Sequence, residues 1–139
     1  MDLIRRVTNG LKYDEGFRQF PYKCTANKLT IGYGRNIEEV GITEEEAKFL
    51  LFNDVNAVLE DLRTIFDCFD SYPENIQYVL MNMRFQLGSG TFRRFRNMIA
   101  AVKEQNWQRM IDEMMDSRWY RQTTKRAARL IAIIRKEIH

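Results

Sequence analysis

The chain has 139 residues, of which 45% are hydrophobic, and this length allows one hydrophobic core but not two ordinary domains. Its formal net charge is only +3, yet residues 1–74 contain 9 basic and 14 acidic side chains, whereas residues 75–139 contain 13 basic and 5 acidic ones. The single histidine is His139, which argues against zinc hydrolases with histidine ligands and against Ser-His or Cys-His nucleophiles, and leaves carboxylate chemistry.

The beginning of the chain predicts one helix followed by a small hairpin. Apolar residues at helical spacing predict a helix over about Asp2–Glu15, which Gly16 ends. Aromatic and β-branched residues then predict two short strands, around Phe20–Tyr22 and Leu29–Tyr33. Asn27 tolerates the tight turn between them.

The rest of the chain predicts only helices. Thr43 and Glu46 have the spacing of a capping box, and they begin a long helix that extends to about Phe66. Ser71 and Glu74 repeat this signature before an apolar stripe that ends at Gly-Ser-Gly. Three more helices are predicted over about Phe92–Lys103, Trp107–Met115 and Thr124–Ile138. The order of helix, small sheet, long helix and helical lobe predicts an α+β fold.

Glu15 is a candidate catalytic acid. It ends the first helix, where the helix dipole disfavours negative charge, and the aromatic residues that follow it could desolvate it. Both effects raise the pKa of a carboxyl group, and a protonated carboxylic acid is what a departing glycosidic oxygen requires. The ordinary interpretation of the same residue is a solvated surface glutamate beside a helix stop.

Cys24 and Thr30 form a second candidate pair. Cys24 falls on the first predicted strand and Thr30 on the second, so a hairpin could bring a thiol and a hydroxyl together beside a water or a sugar carbon. An isolated cysteine is more often a small packing residue than a reagent. The other cysteine, Cys68, is interpreted as a packing residue, and both thiols are expected to be reduced because no disulfide framework is present.

Six segments, taken together and in this order, resemble the phage-type lysozymes, the glycoside hydrolase family to which the lysozyme of T-even phages belongs. They are "DEGF", "YKC", "KLTIGYGRN", "GITEEEAKFLLFNDV", "FQLGSGTF" and "SRWYRQTTKRAAR". The similarity covers almost the whole chain. It implies a lysozyme-like fold with a cleft between two lobes: a small β lobe over about 14–42, an inter-lobe helix over about 43–66, and a helical lobe of 67–139 that also includes the N-terminal helix 2–15.

The resemblance implies a murein hydrolase that cuts the β-1,4 bond between N-acetylmuramic acid and N-acetylglucosamine by an inverting mechanism, without metal or cofactor. The position of Glu15 is that of the general acid, and the position of Thr30 helps to hold the attacking water. Gln86 matches a glutamine that lines the cleft. Arg126 matches an arginine that pairs with the catalytic glutamate.

Two positions depart from the family pattern. Cys24 stands where the family usually has aspartate, although some relatives carry cysteine there. Aspartate is fully ionised at pH 7, whereas a free cysteine is only a few per cent thiolate unless a neighbour lowers its pKa, and Lys23, Lys28 and Arg35 are the nearby cations in the sequence. Arg35 stands where the family commonly has histidine, so the lobe-bridging ion pair of that histidine does not carry over, although an arginine could make a stronger one.

Three other functions stay open. A lytic transglycosylase needs one acid-base carboxyl group and no partner that activates water. A non-catalytic murein-binding module could keep the fold after losing the aspartate. A nucleic-acid binder could use the basic second half, but no base-reading motif is present and the acidic first half opposes phosphates.

The expected partner is therefore peptidoglycan rather than nucleic acid, and the chain is expected to be a monomer. No segment is long and apolar enough for a signal peptide or a membrane span, so synthesis in the host cytoplasm without stable membrane insertion is expected. Action on the periplasmic cell wall would then follow release through a holin-type partner or packaging in a virion. The basic second half could attract anionic wall or lipid surfaces.

Overall fold

The computed structural model describes residues 2–139 and confirms the α+β class. Contacts divide the chain into two units, one that ends at Phe49 and one from Leu50 to His139. The first unit contains the small sheet, and the second contains most of the helices. The lobe boundaries given above, and the placement of the N-terminal helix with the helical lobe, stay predictions.

The first unit begins with α1 (Leu3–Glu15), whose range agrees with the predicted helix. The Asp2 carboxylate accepts a hydrogen bond from the backbone N–H of Ile4 at 3.1 Å and caps the start of the helix. Gly16 ends it with φ of 70°, a conformation that glycine adopts without steric cost. Glu15 is therefore the last helical residue.

The predicted hairpin is confirmed, and it carries a third strand. Three antiparallel strands lie in chain order, β1 (Arg18–Lys23), β2 (Leu29–Gly32) and β3 (Arg35–Asn36). Asn27 has φ of 61° in the turn between β1 and β2. The two-residue β3 was not predicted, because so short a strand has no readable periodicity.

A short helix, α2 (Ile37–Val40), follows the sheet and was also not predicted. The Asn36 side chain begins it by accepting a hydrogen bond from the backbone N–H of Glu39 at 3.0 Å. The long α3 (Glu44–Ile65) comes next, and its predicted capping box is confirmed. The Glu46 N–H donates to Thr43 Oγ1 at 3.1 Å, and the Thr43 N–H donates to Glu46 Oε1 at 2.8 Å.

The second unit packs helices around one hydrophobic core. Besides the end of α3 it contains α4 (Glu74–Arg93), α5 (Arg96–Lys103), α6 (Trp107–Met115), α7 (Arg118–Gln122) and α8 (Thr124–Arg135). Its largest fully buried side chains include Phe66, Phe69, Phe92, Leu62, Ile76, Leu80, Met83 and Ile134. Burial of each such side chain contributes about 1.5–3 kcal/mol to stability, so this core holds the helices together.

Two predictions about the second unit were wrong in detail. Ser71 does not cap α4, because it lies in a 3-10 turn (Phe69–Ser71) and its hydroxyl donates to the Cys68 carbonyl at 2.7 Å. The predicted stop at Gly-Ser-Gly is confirmed, because Gly88 has non-helical φ of 78° and ψ of 163° and breaks α4 there, and a further helical stretch follows to Arg93. The predicted last helix is preceded by the separate α7 and ends at Arg135 rather than Ile138.

Both cysteines are free, as expected. The interpretation of Cys68 as a packing residue is wrong, because its side chain is exposed beside the 3-10 turn. Within residues 2–139, no helix combines the length and the apolar character that crossing a membrane demands.

Glu46 is expected to make the stability of the first unit depend on pH. Hydrogen bonds from the Arg35 side chain and from the Thr43 backbone lower the pKa of Glu46 from 4.5 to about 2. A lowered pKa means that the stabilisation is complete above pH 4.5 and is lost as the pH falls towards 2. Glu46→Gln should therefore lower the unfolding temperature at pH 7, and the difference from wild type should vanish near pH 2.

The matched control is Glu45→Gln, which makes the same charge change next to it in α3. Glu45 pairs only with Lys48, at 3.4 Å on the surface, so its loss should change the unfolding temperature little. The measurement is thermal unfolding by circular dichroism at pH 7, 4 and 2. Equal unfolding temperatures for the two variants at pH 7 would contradict the assignment.

Candidate active site

Glu15 and Gly34 lie against each other in the first unit. A Cβ atom built on Gly34 would lie 2.9 Å from Glu15 Oε2 and 3.0 Å from its Cδ, so no larger residue fits there without moving the carboxyl group. Gly34 also has φ of 75°, which disfavours any L side chain. The absence of a side chain at this position makes the room that the Glu15 carboxyl group occupies.

Two aromatic residues lie close in the chain to Glu15 and Gly34. Phe17 follows Glu15 closely in the chain and Tyr33 precedes Gly34, and their ring centroids are 5.6 Å apart. The Lys12 ammonium lies 6.0 Å from the centroid of the Tyr33 ring. Phe17 and Tyr33 are 64% and 50% exposed and Glu15 is exposed as well, so the desolvation of Glu15 that the sequence suggested is not observed.

The hairpin brings Cys24 and Thr30 together, as its geometry predicts. Cys24 directly follows β1, and its N–H donates to the Lys28 carbonyl at 3.0 Å. Thr30 lies in β2, is only 4% exposed, and its hydroxyl lies 2.8 Å from the same carbonyl, to which it donates. The Thr30 side chain is also one of the groups that lower the pKa of the Cys24 thiol. Because a hydroxyl has one hydrogen, it can donate to the carbonyl or turn towards a thiolate.

The turn favours the ionised form of Cys24. A backbone hydrogen bond from Lys28 lowers the pKa of the thiol, and desolvation raises it by less. Further hydrogen bonds from the Ala26 backbone and the Thr30 side chain also lower this pKa. The net pKa lies below that of an ordinary cysteine, so more of the side chain is thiolate near neutral pH.

The three cations that the sequence suggested as helpers of Cys24 have other partners. Lys28 lies 2.9 Å from Glu39, and both Lys23 and Lys28 lie within 3.7 Å of Glu38. Arg35 binds Glu46. The lowered pKa of Cys24 therefore comes from backbone N–H groups of the turn, which composition alone cannot reveal.

Arg35 joins the sheet to the start of the long helix. Its Nη1 donates to the Gly41 carbonyl at 3.0 Å and to Glu46 Oε1 at 2.9 Å, and its Nη2 donates to Glu46 Oε2. Both partners belong to the first unit, so this ion pair fixes β3 and the adjacent Gly34 within that unit. The sequence identified Glu46 as a helix cap but missed it as the partner of Arg35.

Gln86 lies in the second unit, on α4, where it is held by a tryptophan. The Trp119 indole N–H donates to Gln86 Oε1 at 2.9 Å, and Trp119 itself is 5% exposed. Trp119 is thus a buried core residue that also holds the Gln86 side chain. Gln86 and Trp119 line a cavity of about 590 Å³ together with Thr91, Arg94, Arg96, Glu113, Arg118 and other residues.

Arg126 lies on α8 in the same unit. Its Nε donates to Asn82 Oδ1 at 2.9 Å, and its Nη2 lies 3.4 Å from the Asn82 carbonyl. It also lines a smaller cavity of about 290 Å³ with mostly apolar walls. The pairing of Arg126 with Glu15 stays a prediction.

No metal centre can be built from the residues described. Residues 2–139 contain no group of three or more histidine, cysteine, aspartate or glutamate side chains that could hold a metal ion. The chemistry available in the first unit is that of a carboxyl group, a thiol and a hydroxyl.

Comparison with known proteins identifies the family of the chain. The model of the Phage lysozyme family matches residues 12–137. "Probable T4-type lysozyme 2" of Dictyostelium discoideum is 26% identical over 94% of each chain. "Pre-baseplate central spike protein Gp5" of Enterobacteria phage T4 is 30% identical over 89% of this chain, which matches only 26% of that protein.

A shorter match is found in "Peptidoglycan hydrolase gp36" of Pseudomonas phage phiKMV, 40% identical over 37% of this chain and 6% of that protein. The family match extends over nearly the entire chain and includes Glu15, Cys24, Thr30, Gln86 and Arg126. The chain belongs to the phage lysozyme family and is a lysozyme-type glycoside hydrolase.

Proposed function

We propose that this chain is a muramidase that hydrolyses the β-1,4 bond between N-acetylmuramic acid and N-acetylglucosamine in peptidoglycan. Membership in the phage lysozyme family supports the proposal, as does a relative whose name is peptidoglycan hydrolase. The observation that carries it is the lowered pKa of Cys24 in the turn beside Thr30, because it supplies an anion at the position where aspartate is usual.

Glu15 is proposed as the general acid. It gives its proton to the glycosidic oxygen as the bond between that oxygen and C1 breaks, so the leaving sugar departs as a neutral alcohol. The space beside Gly34 holds the carboxyl group at the end of α1 for this transfer. A positioned acid of this kind contributes roughly 10²–10⁴-fold to the rate.

Cys24 is proposed as the group opposite the acid. Its thiolate accepts a proton from water as the water oxygen bonds to C1, and its negative charge stabilises the oxocarbenium-like transition state. Thr30 is proposed to hold that water. When the Thr30 hydroxyl donates to the Lys28 carbonyl at 2.8 Å, its oxygen is free to accept a hydrogen bond from the water. Cys24 then releases its new proton to solvent, and Glu15 takes one up from solvent, which restores both groups.

Lytic transglycosylase activity is the alternative that the Cys24 substitution favours. That reaction needs no water, because the C6 hydroxyl of the muramic acid attacks C1 and leaves an anhydro end. The products separate the two reactions, since hydrolysis gives reducing ends. A module that binds peptidoglycan without cutting it would release neither product.

We also propose an endolysin role for the enzyme, as a monomer that reaches the periplasmic wall from the host cytoplasm and causes bacterial lysis. Release would use a holin-type partner or packaging in a virion, and the phage T4 relative whose name is a baseplate spike protein supports the second route. Lysis of host cells that make this chain with and without a co-expressed holin tests the first route. We infer no nucleic-acid partner, because the proposed substrate explains the site residues.

Glu15→Gln should abolish the release of muropeptides while leaving the fold intact, because an amide cannot donate the required proton. We expect a loss of roughly 10²-fold or more. The measurement is mass spectrometry of muropeptides from purified peptidoglycan, beside circular dichroism of the variant. The matched control is Asp14→Asn, which makes the same charge change at the preceding, exposed residue and should stay active. A folded Glu15→Gln variant with full activity would refute the assignment.

The wild-type rate should rise with pH as Cys24 ionises. Because hydrogen bonds in the turn lower the pKa of this thiol, the midpoint should lie below that of an ordinary cysteine, whose pKa is 9.0. Cys24→Asp should be active at lower pH, since aspartate is ionised above about pH 4. Cys24→Ser should have little activity because its hydroxyl stays protonated.

The measurement is turbidity loss of purified peptidoglycan between about pH 5 and 9, the range in which a thiol with a lowered pKa titrates. A serine variant as active as wild type would show that Cys24 is not the second catalytic group. Binding of all three forms to walls without any release of fragments would favour the non-catalytic module.

Gly34→Ala should lower activity much more than Gly32→Ala. Both glycines have positive φ, of 75° and 69°, so the two changes impose similar backbone strain. Only at Gly34 does the added methyl group meet the Glu15 carboxyl group, at 2.9 Å, whereas a Cβ on Gly32 meets nothing within 4 Å. The comparison uses the rate of wall clearing for each variant, normalised to the folded fraction. Equal losses would mean that strain, and not the position of Glu15, decides the effect.

A further inference from the structure

Helix α4, which carries Gln86, is bent at Gly88, and a side chain on each side of the bend forms an ion pair with α3. Gly88 has φ of 78° and ψ of 163°, so the regular hydrogen-bond pattern of α4 is interrupted there. Arg84 precedes the bend and Arg93 follows it. Both arginines reach the same residue, Asp61 on α3.

Each oxygen of the Asp61 carboxylate binds one arginine. Arg84 Nε lies 2.5 Å from Asp61 Oδ2, and Arg93 Nη2 lies 2.6 Å from Asp61 Oδ1. Arg93 also donates from Nε to Ser89 Oγ at 3.1 Å and from Nη2 to Thr64 Oγ1 at 3.2 Å. The network therefore spans the bend and ties both of its sides to α3.

This network is better shielded from water than an ordinary surface ion pair. The side chains of Asp61 and Arg84 are 18% and 16% exposed, whereas those of Arg63 and Asp70, which pair at the end of the same helix, are 42% and 66% exposed. Burial raises the pKa of Asp61, but hydrogen bonds from Arg84, Ser89 and Arg93 outweigh it and bring this pKa to about 2. Asp61 is thus ionised throughout the range in which a lysozyme could act.

The bend shapes the cavity beside Gln86. Gln86 and Leu87 line that cavity from before Gly88, and Thr91 and Arg94 line it from after Gly88. A change in the bend would move the two sides relative to each other. It would also move Gln86 relative to Trp119 on α7, whose indole N–H donates a hydrogen bond to Gln86 Oε1 at 2.9 Å.

We propose that Asp61 is a positioning residue for the lysozyme reaction: by binding Arg84 and Arg93 it fixes the bend of α4 at Gly88 and thereby holds the Gln86 side chain in place for the glycan. Asp61 acts through Gln86 and does not itself touch the substrate. The inference rests on the proposed function in one respect, namely that Gln86 contacts the glycan.

The test is Asp61→Asn, which keeps the size of the side chain but removes the charge that both arginines bind. The first measurement is the indole N–H resonance of Trp119 in ¹H–¹⁵N spectra, together with its rate of exchange with solvent. We expect the resonance to shift and the exchange to speed up by roughly two- to tenfold, the range that corresponds to one net hydrogen bond. Asp61→Glu keeps the charge and should restore most of the wild-type signal.

The second measurement is the rate of cleavage of soluble peptidoglycan fragments as their concentration is varied. Loss of a substrate-positioning contact should raise KM roughly two- to tenfold, while kcat and the pH profile set by Glu15 and Cys24 stay as in wild type. A merely structural role would lower the folded fraction without this division between KM and kcat.

The matched control is Asp70→Asn, which makes the same chemical change in the exposed pair with Arg63 and should alter neither measurement. An unchanged Trp119 resonance in folded Asp61→Asn would overturn the proposal, as would an unchanged KM. Failure of the proposed function is a separate result, because wild-type protein that cuts no peptidoglycan would refute that function while the resonance still shows whether Asp61 holds the bend.

Discussion

The arrangement of the first unit depends on one carboxylate that binds two partners. Glu46 accepts the Thr43 backbone N–H, which begins α3, and the Arg35 guanidinium, which extends from β3. Arg35 follows Gly34 directly, so the same ion pair limits where Gly34 can lie. Gly34 in turn leaves the space beside the Glu15 carboxyl group. The position of the proposed acid thus follows from a helix cap and a salt bridge that have no catalytic role.

The proposed second catalytic residue, Cys24, illustrates how local geometry could replace residue identity. Aspartate is an anion at neutral pH in almost any setting, whereas cysteine needs help from its surroundings. Here the help comes from a turn of five residues, Cys24–Lys28, in which Asn27 adopts φ of 61°. That conformation directs backbone hydrogen bonds at the sulfur and lowers the pKa of the thiol. The lysines beside Cys24 are occupied by acidic residues of α2, so they balance charge at the surface instead.

The second unit also contains a carboxylate with two partners, Asp61, which binds two arginines of the bent helix α4. Asp61 binds arginines from both sides of the bend at Gly88, as Glu46 binds a helix start and a strand. In both places one acidic side chain uses its two oxygens to connect residues that are far apart in the chain. Removing one partner of such a carboxylate is costly, because a charged group then loses its hydrogen bonds.

The sequence by itself determined the order of helices and strands, because periodicity, caps and glycines are local signals. It predicted α1, the hairpin, the capping box of α3 and the range of α6, and it identified Glu15, Cys24 and Thr30 through the family pattern. It misread Ser71 as a helix cap, since a cap depends on which partners lie nearby. Only the tertiary structure decided that backbone groups lower the pKa of Cys24, that Arg35 binds Glu46, and that Asp61 reaches across α4. Those contacts join residues whose separation in the chain gives no clue to their distance in space.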